Sequence, residues 1–484
     1  MSKFLTFFMM ILSLAMLCLS KAHATELDMR TFSKLPIQHD GRIKPMESFA
    51  RHLSQRLSGS KQIDTLPAID FLAEALFNPP LTTLRPVFTI RRQELKQLLE
   101  LKTDETRFSL AEIIPALQHR KEMVVRILEK EASEQTATEK DLVTLYDNAV
   151  LLKSVVTSMH MILPLRIPLP EETAAELDIS PEDAVSYMDI KRHEEKLGTY
   201  LENLPEEDIT DHLKAFALQL SMIENNTDTQ NIFRIMPPEW PLNQSKEWNS
   251  PWVLMNMGLS GPGSAQYFED WKDMAAAYRE QNAKHWADAT EKAYQRVLDF
   301  PQTSASPAKL SMEVTYLHLN PYFYSLVFYM LGLAVAAMML MRKEIPLGSL
   351  ALTTLLTGAL FHASAIAMRI MILERPPVST LYESVLFVSL ICVVASLVTA
   401  VFSKEKALPL FMGPLAAIIL YFVAEYLAKE GDTLQVLTAV LNTNFWLATH
   451  VTVITAGYGF CILTGLFAHY GLYMRVMNRP LPAN

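Results

Sequence analysis

Four histidines lie in or beside long apolar stretches in the last third of the chain: His318, His362, His450 and His469. An ionisable side chain inside a bilayer is costly, so each is by default a functional candidate. An imidazole there either hydrogen-bonds a neighbouring helix or ligates a metal, haem iron included. A haem needs an apolar slot, one or two such ligands, and cations near its propionates. His450 has Trp446 one helical turn before it, and Arg369 and Arg375 belong to the same end of the apolar segments. That set could hold a haem b. The competing readings are a helix–helix hydrogen bond for His450, a buried structural role for His362, and interface roles for His318 and His469. His450 and His469 are 469 − 450 = 19 residues apart. On one helix that is about 28 Å, too far to share an iron. Arg369 and Glu425 are expected at the same depth, where pairing would offset the cost of both charges. No P-loop, GxGxxG, HExxH or Ser-His-Asp arrangement occurs.

These residues must be positioned by membrane helices. After residue 315, five segments are long and apolar enough to span, near 322–341, 347–373, 385–402, 408–427 and 447–474. Arg342-Lys343, Lys404 with Lys406, and Arg475 with Arg479 mark alternate ends. Basic loops stay in the cytoplasm, so the loops 374–384 and 428–446 are expected outside. Two polar stretches on that face stand out: Arg375-Pro-Pro-Val-Ser-Thr-Leu-Tyr-Glu-Ser384 and Asn444-Phe-Trp-Leu-Ala-Thr-His450. No repeat symmetry or pair of broken helices suggests a transporter.

The rest of the chain is different. Of 484 residues, 50% are hydrophobic and 20% charged, with a mean hydropathy of +0.14. This suits a chain that is part soluble and part membrane. The net charge of −9 argues against nucleic acid, which wants a basic face. Residues 1–24 read as a secretory signal, with Lys3 before an apolar core and Ala22-His23-Ala24 as the cleavage site. An uncleaved anchor is the alternative. The three cysteines, Cys18, Cys392 and Cys461, all fall in apolar segments, so residues 25–315 hold no disulfide. Apolar spacing of three and four over 95–101, 110–127, 140–161 and 271–298 predicts amphipathic helices. Proline-rich stretches separate them, and a break near 165–180 divides the region into two lobes. Trp240, Trp248 and Trp252 are close in sequence, as a packed core or a ligand cradle. The expected fold is mainly α: a helical extracytoplasmic domain over 25–315, then a polytopic membrane domain over 316–484.

Three segments carry a family resemblance. Pro377-Val-Ser-Thr-Leu-Tyr-Glu-Ser384 resembles the P-x-S-N-x-Y-E-S loop of CcsA/ResC-type proteins, the haem-handling membrane subunits of system II cytochrome c maturation. Phe445-Trp-Leu-Ala-Thr-His-Val-Thr-Val453, running on to Gly457-Tyr-Gly459, is similar to the segment that carries their first external haem-ligating histidine. Leu35-Pro-Ile-Gln-His-Asp-Gly-Arg-Ile-Lys-Pro-Met-Glu-Ser-Phe-Ala-Arg51 resembles a motif of versions with a large extracytoplasmic region.

The resemblance implies haem exposed at the outer face of a bacterial inner membrane and attached to the CxxCH motif of apocytochrome c. It implies His450 as the external ligand, His362 as a histidine of the preceding helix, and Pro377, Ser379, Tyr382 and Glu383 as the motif loop. It also implies a ResB/CcsB-like partner. Thr380 stands where the family has Asn, and no WG-x-x-W-x-W-D segment occurs before Asn484. The chain then matches the first half of the unit. Either a second polypeptide carries the WWD half or the protein is a degenerate or truncated relative. At most it is part of a cytochrome c haem lyase. The alternative is a non-catalytic membrane scaffold that docks apocytochrome or a partner subunit.

Overall fold

The computed structural model describes residues 27–131, 133–180, 184–205, 208–225, 231–239, 246–258, 261–301, 303–342, 347–428, 433–434 and 445–478. The signal segment, Trp240, Asn444 and Arg479 lie outside them. The fold is mainly α and carries five helices long and apolar enough to cross a membrane. Short antiparallel strand pairs are the exception.

The first hairpin pairs β1 (Pro36–His39) with β2 (Arg42–Pro45), Ile37 opposite Lys44 and His39 opposite Arg42. Its turn is Asp40-Gly41, with φ of 50° and 76°. Two successive positive φ values make the type I′ turn that Asp-Gly favours. The strand leads directly into α1 (Met46–Ser58), which ends on Gly59 in the left-handed conformation. Further along, α2 (Ala137–Ser158) starts at a capping box of Thr136 and Glu139. The helices α3 (Pro262–Glu280) and α4 (Ala283–Asp299) form an antiparallel pair that closes the domain.

The main core draws on both ends of this region, from Leu27 to Ile162 and again from Phe233 to Leu310. Phe32, Phe77, Trp271 and Trp286 form its aromatic centre, with Phe32 and Trp286 centroids 5.4 Å apart. Trp248 and Trp252 belong to the same core, and Trp252 Nε1 donates to the Thr157 carbonyl at 3.0 Å. Both are packing residues of the core. A smaller apolar cluster around Leu169, Ala174, Leu177, Ile190 and Phe216 forms a lobe of its own. The expected break near 165–180 is therefore the entrance to an inserted lobe, after which the chain returns to the first core. The pattern of apolar residues could not show that return, because it carries no information on which segments pack together.

α5 (Pro307–Leu319) links domain and membrane part. It packs on β2 and α1 on one side and on the second spanning helix on the other. Asn320, left-handed at φ 44°, and Pro321 then start α6 (Pro321–Met341). The bundle continues with α7 (Gly348–Leu373), α8 (Leu381–Phe402), α9 (Ala407–Leu427) and α10 (Phe445–Val476). Small residues let the helices approach closely, as membrane packing favours. A Cβ on Gly358 of α7 would lie 2.7 Å from the Tyr329 ring of α6. Gly413 of α9 sits still more tightly against Ser396 of α8. α10 leans on α8 and α9 and leaves most of its surface outside the bundle.

Candidate functional site

The end of the bundle nearest the helical domain holds a buried polar node. Arg369, on the last turns of α7, is 3% exposed. Its Nη2 donates to Glu383 Oε1 at 2.9 Å and to the Thr433 carbonyl, and its Nη1 to the Tyr316 hydroxyl at 3.3 Å. Arg375 Nη2 donates to the same Glu383 oxygen at 2.8 Å. Tyr382 lies under the Arg369 guanidinium, 5.1 Å from its ring centroid. Glu425, the partner expected for Arg369, is exposed on α9 instead. Depth alone matched the two residues, but the rotation of α9 turns Glu425 away while α8 turns Glu383 inward.

The loop 375–384 is built to present that carboxylate. Thr380 N-caps α8, accepting from the Glu383 amide at 3.2 Å. Glu383 thereby sits in the first helical turn, where its charge is also favoured by the helix dipole. Its second oxygen accepts from the Ser379 amide at 3.2 Å, and Ser379 Oγ donates to the Pro376 carbonyl at 2.9 Å. Pro377 lies in the turn between them, and Ser384 Oγ donates to the Val378 carbonyl at 3.3 Å. Threonine therefore does the capping work that an Asn would do at this position.

The N-terminal motif reaches the same node. Arg42 makes a two-pronged pair with Glu313 of α5, at 2.8 and 2.7 Å, and its Nε donates to the Leu434 carbonyl at 2.9 Å. Ser48 also donates to Glu313. Glu47 bonds Arg51 Nε at 2.5 Å and pairs with His318 Nε2 at 3.1 Å. Burial alone would raise the Glu47 carboxyl, but the His318 and Arg51 contacts outweigh it and hold it below the usual range. On the hairpin, Lys44 is fully buried with Nζ 3.3 Å from His39 Nδ1 and 3.4 Å from Asp40. Burial would raise Asp40 as well; His39, with the charges of Lys44 and His52, holds it well below the carboxylate range.

The histidines separate. His362 is 2% exposed in α7, with Nδ1 3.1 Å from the Tyr329 hydroxyl and the Tyr322 ring edge-on at 5.3 Å. The Leu386 backbone lies beside its ring, yet Nε2 finds no partner in hydrogen-bonding geometry. His450 is exposed on the first turns of α10, next to Trp446, which is 78% exposed. Among the described residues no hydrogen bond, ion pair or ring contact joins His450 to His362 or Arg369. His469 Nδ1 bonds the Gly465 carbonyl on its own helix at 2.7 Å, which suits a structural residue. His318 is an interface residue through Glu47.

The structure thus gathers Arg369, Arg375, Ser379, Tyr382 and Glu383 and leaves His450 with Trp446 apart. Glu313, Tyr316, Thr433 and Leu434 complete the node and carry no motif that announces them. A lone acid in the apolar pattern of α5 was the available signal for Glu313. Among the described residues no group of three or more His, Cys, Asp or Glu side chains could hold a metal ion. Comparison with models of known protein families finds no match, and no curated protein matches the chain.

Proposed function

We propose that this multi-pass membrane protein is a haem-handling subunit of system II cytochrome c maturation. It would act at the extracytoplasmic face of a bacterial inner membrane, with its helical domain in the periplasm. The observation that carries this reading is the meeting of two resembling segments. Residues 35–51 and 377–384, far apart in sequence, join through α5 and the Thr433-Leu434 backbone, at the end of the bundle where α10 begins with His450.

The residues fit a haem at one place. His450 has an exposed imidazole with no hydrogen bond among the described residues, and Trp446 and Phe445 form an apolar face beside it. His450 would ligate the iron and Trp446 would border the porphyrin. Arg369 does not fit as a propionate partner, since its terminal nitrogens are all engaged inside the node. When bound, haem supplies vinyl groups across which the thiols of a reduced CxxCH motif add. The chain's part is to hold the iron and to keep the attachment face open towards an apocytochrome and a partner subunit.

Visible absorption of the purified full-length protein tests this. A Soret band that disappears in His450→Ala and survives in Glu425→Gln is the expected result. A colourless protein from haem-replete cells, co-expressed with its genomic neighbours, overturns it. The engagement of Arg369 and Arg375 by one carboxylate favours a second reading, a scaffold that docks apocytochrome or a partner without haem. A colourless protein that still retains apocytochrome on an affinity column would select that reading.

A further inference from the structure

We propose that the cleft between the β1–β2 hairpin, α5 and the end of α7 binds the phosphate headgroup of an anionic phospholipid. The cleft measures about 420 Å³. Part of its lining is apolar and comes from Ile372 and Leu373, the last two residues of a spanning helix. It therefore opens at the level where that helix leaves the hydrocarbon. Four cations line it: Arg42, Lys246, Lys309 and Arg375. Only two carboxylates do, Glu313 and Glu374, with Glu383 behind Arg375.

The cations divide into two kinds. Arg42 and Arg375 are held rigidly, 12% and 10% exposed, by Glu313 and Glu383. They set a wall of fixed N–H donors whose charges their carboxylates already match, so the excess positive charge rests on the lysines. Lys309 bridges Glu374 at 2.7 Å with side chains 40% and 71% exposed. Exposed pairs of that kind are weak, so a phosphate competes for the lysine at little cost. Lys246 makes no ion pair among the described residues. Two adaptable lysines over an arginine wall and an apolar patch suit an anionic amphiphile. Its acyl chains would run along α7, where Met371 is 48% exposed. The inference does not rest on haem ligation, because neither lysine belongs to that site.

Native mass spectrometry of the full-length protein, released from nanodiscs containing phosphatidylglycerol and phosphatidylcholine, tests it. One phosphatidylglycerol should be retained in preference to phosphatidylcholine. The double variant Lys246→Gln with Lys309→Gln should weaken that retention by about tenfold or more, since each basic side chain near a charged lipid surface contributes appreciably. Both lysines lie on the surface, so an unchanged melting curve should accompany the loss. Equal retention of the two lipids, or unchanged retention by the double variant, overturns the proposal. Displacement of the lipid by millimolar inorganic phosphate would also overturn it, because the site would then be one for a free anion.

Discussion

Arg42 and Arg369 each donate to one of two consecutive backbone carbonyls, Leu434 and Thr433. One arginine belongs to a hairpin of the helical domain and the other to a spanning helix. A two-residue stretch of main chain is therefore clamped between the two halves of the protein. Guanidinium groups suit this task because their rigid fork of donors can bond a carboxylate and a carbonyl at once. Arg42 does so with Glu313 and Leu434, and Arg369 with Glu383 and Thr433.

Glu383→Gln should be strongly destabilising. The carboxylate and its partner Arg369 are each 4% exposed at the side chain. Removing it leaves Arg369 and Arg375 without the charge that both share, a loss of about 3–5 kcal/mol by the usual cost of breaking a buried pair. Heat-induced loss of the monodisperse peak on size-exclusion chromatography measures this. Glu425→Gln, on the exposed face of α9, should leave the curve in place. Equal effects from the two substitutions would refute the assigned pairing.

Arg42→Gln and Glu313→Gln should each loosen the junction between domain and bundle. Both charges are largely buried. We expect faster proteolytic cleavage around α5 and a stability loss of about 3 kcal/mol for each. The double substitution should cost much less than the sum, because each single change strands the other's charge. Additive losses would mean that the two groups do not act on each other.

Gly358→Val should fail to pack, since its first side-chain carbon already meets the Tyr329 ring at 2.7 Å. Overpacking of this kind costs about 1–3 kcal/mol. Gly465→Ala, with nothing within 4 Å of the added carbon, should be tolerated. Expression and thermal midpoint in detergent compare the two.

Stability should fall as pH drops from about 6.5 towards 4. Burial pushes the His160 imidazole down to about 4 from 6.5, and the nearby Arg166 adds to the shift. In that window the unfolded chain takes up a proton that the folded protein excludes. The contribution is therefore intact at pH 7 and lost on acidification. His160→Gln should make the thermal midpoint less sensitive to pH between 6.5 and 4. An unchanged slope would show that other groups carry the acid sensitivity.

The spanning helices were legible because about twenty apolar residues in a row admit few other readings. Their observed bounds differ from the expected ones by no more than four residues. The β1–β2 hairpin was not legible in the sequence: Asp40-Gly41 signals a tight turn, but two prolines and four charged or polar residues obscure the strands around it. The partner of Arg369 was not legible. Choosing between Glu383 and Glu425 requires the rotation of each helix about its axis, and α8 and α9 are apolar on every side. Trp248 and Trp252 illustrate the opposite case, where a large side chain goes into the core simply because burying it is favourable.

Asn320 has a consequence for reach. With its left-handed φ of 44° and Pro321 behind it, it breaks what would otherwise run as one helix of 35 residues from Pro307 to Met341. Unbroken, that rod would be about 52 Å long, against a hydrocarbon layer of about 30 Å. A straight rod would also carry Glu313 and Lys309 along the axis of α6, away from Arg42 and Glu374, which they now meet. One residue's backbone thus separates the helix that packs on the domain from the helix that is apolar enough to span.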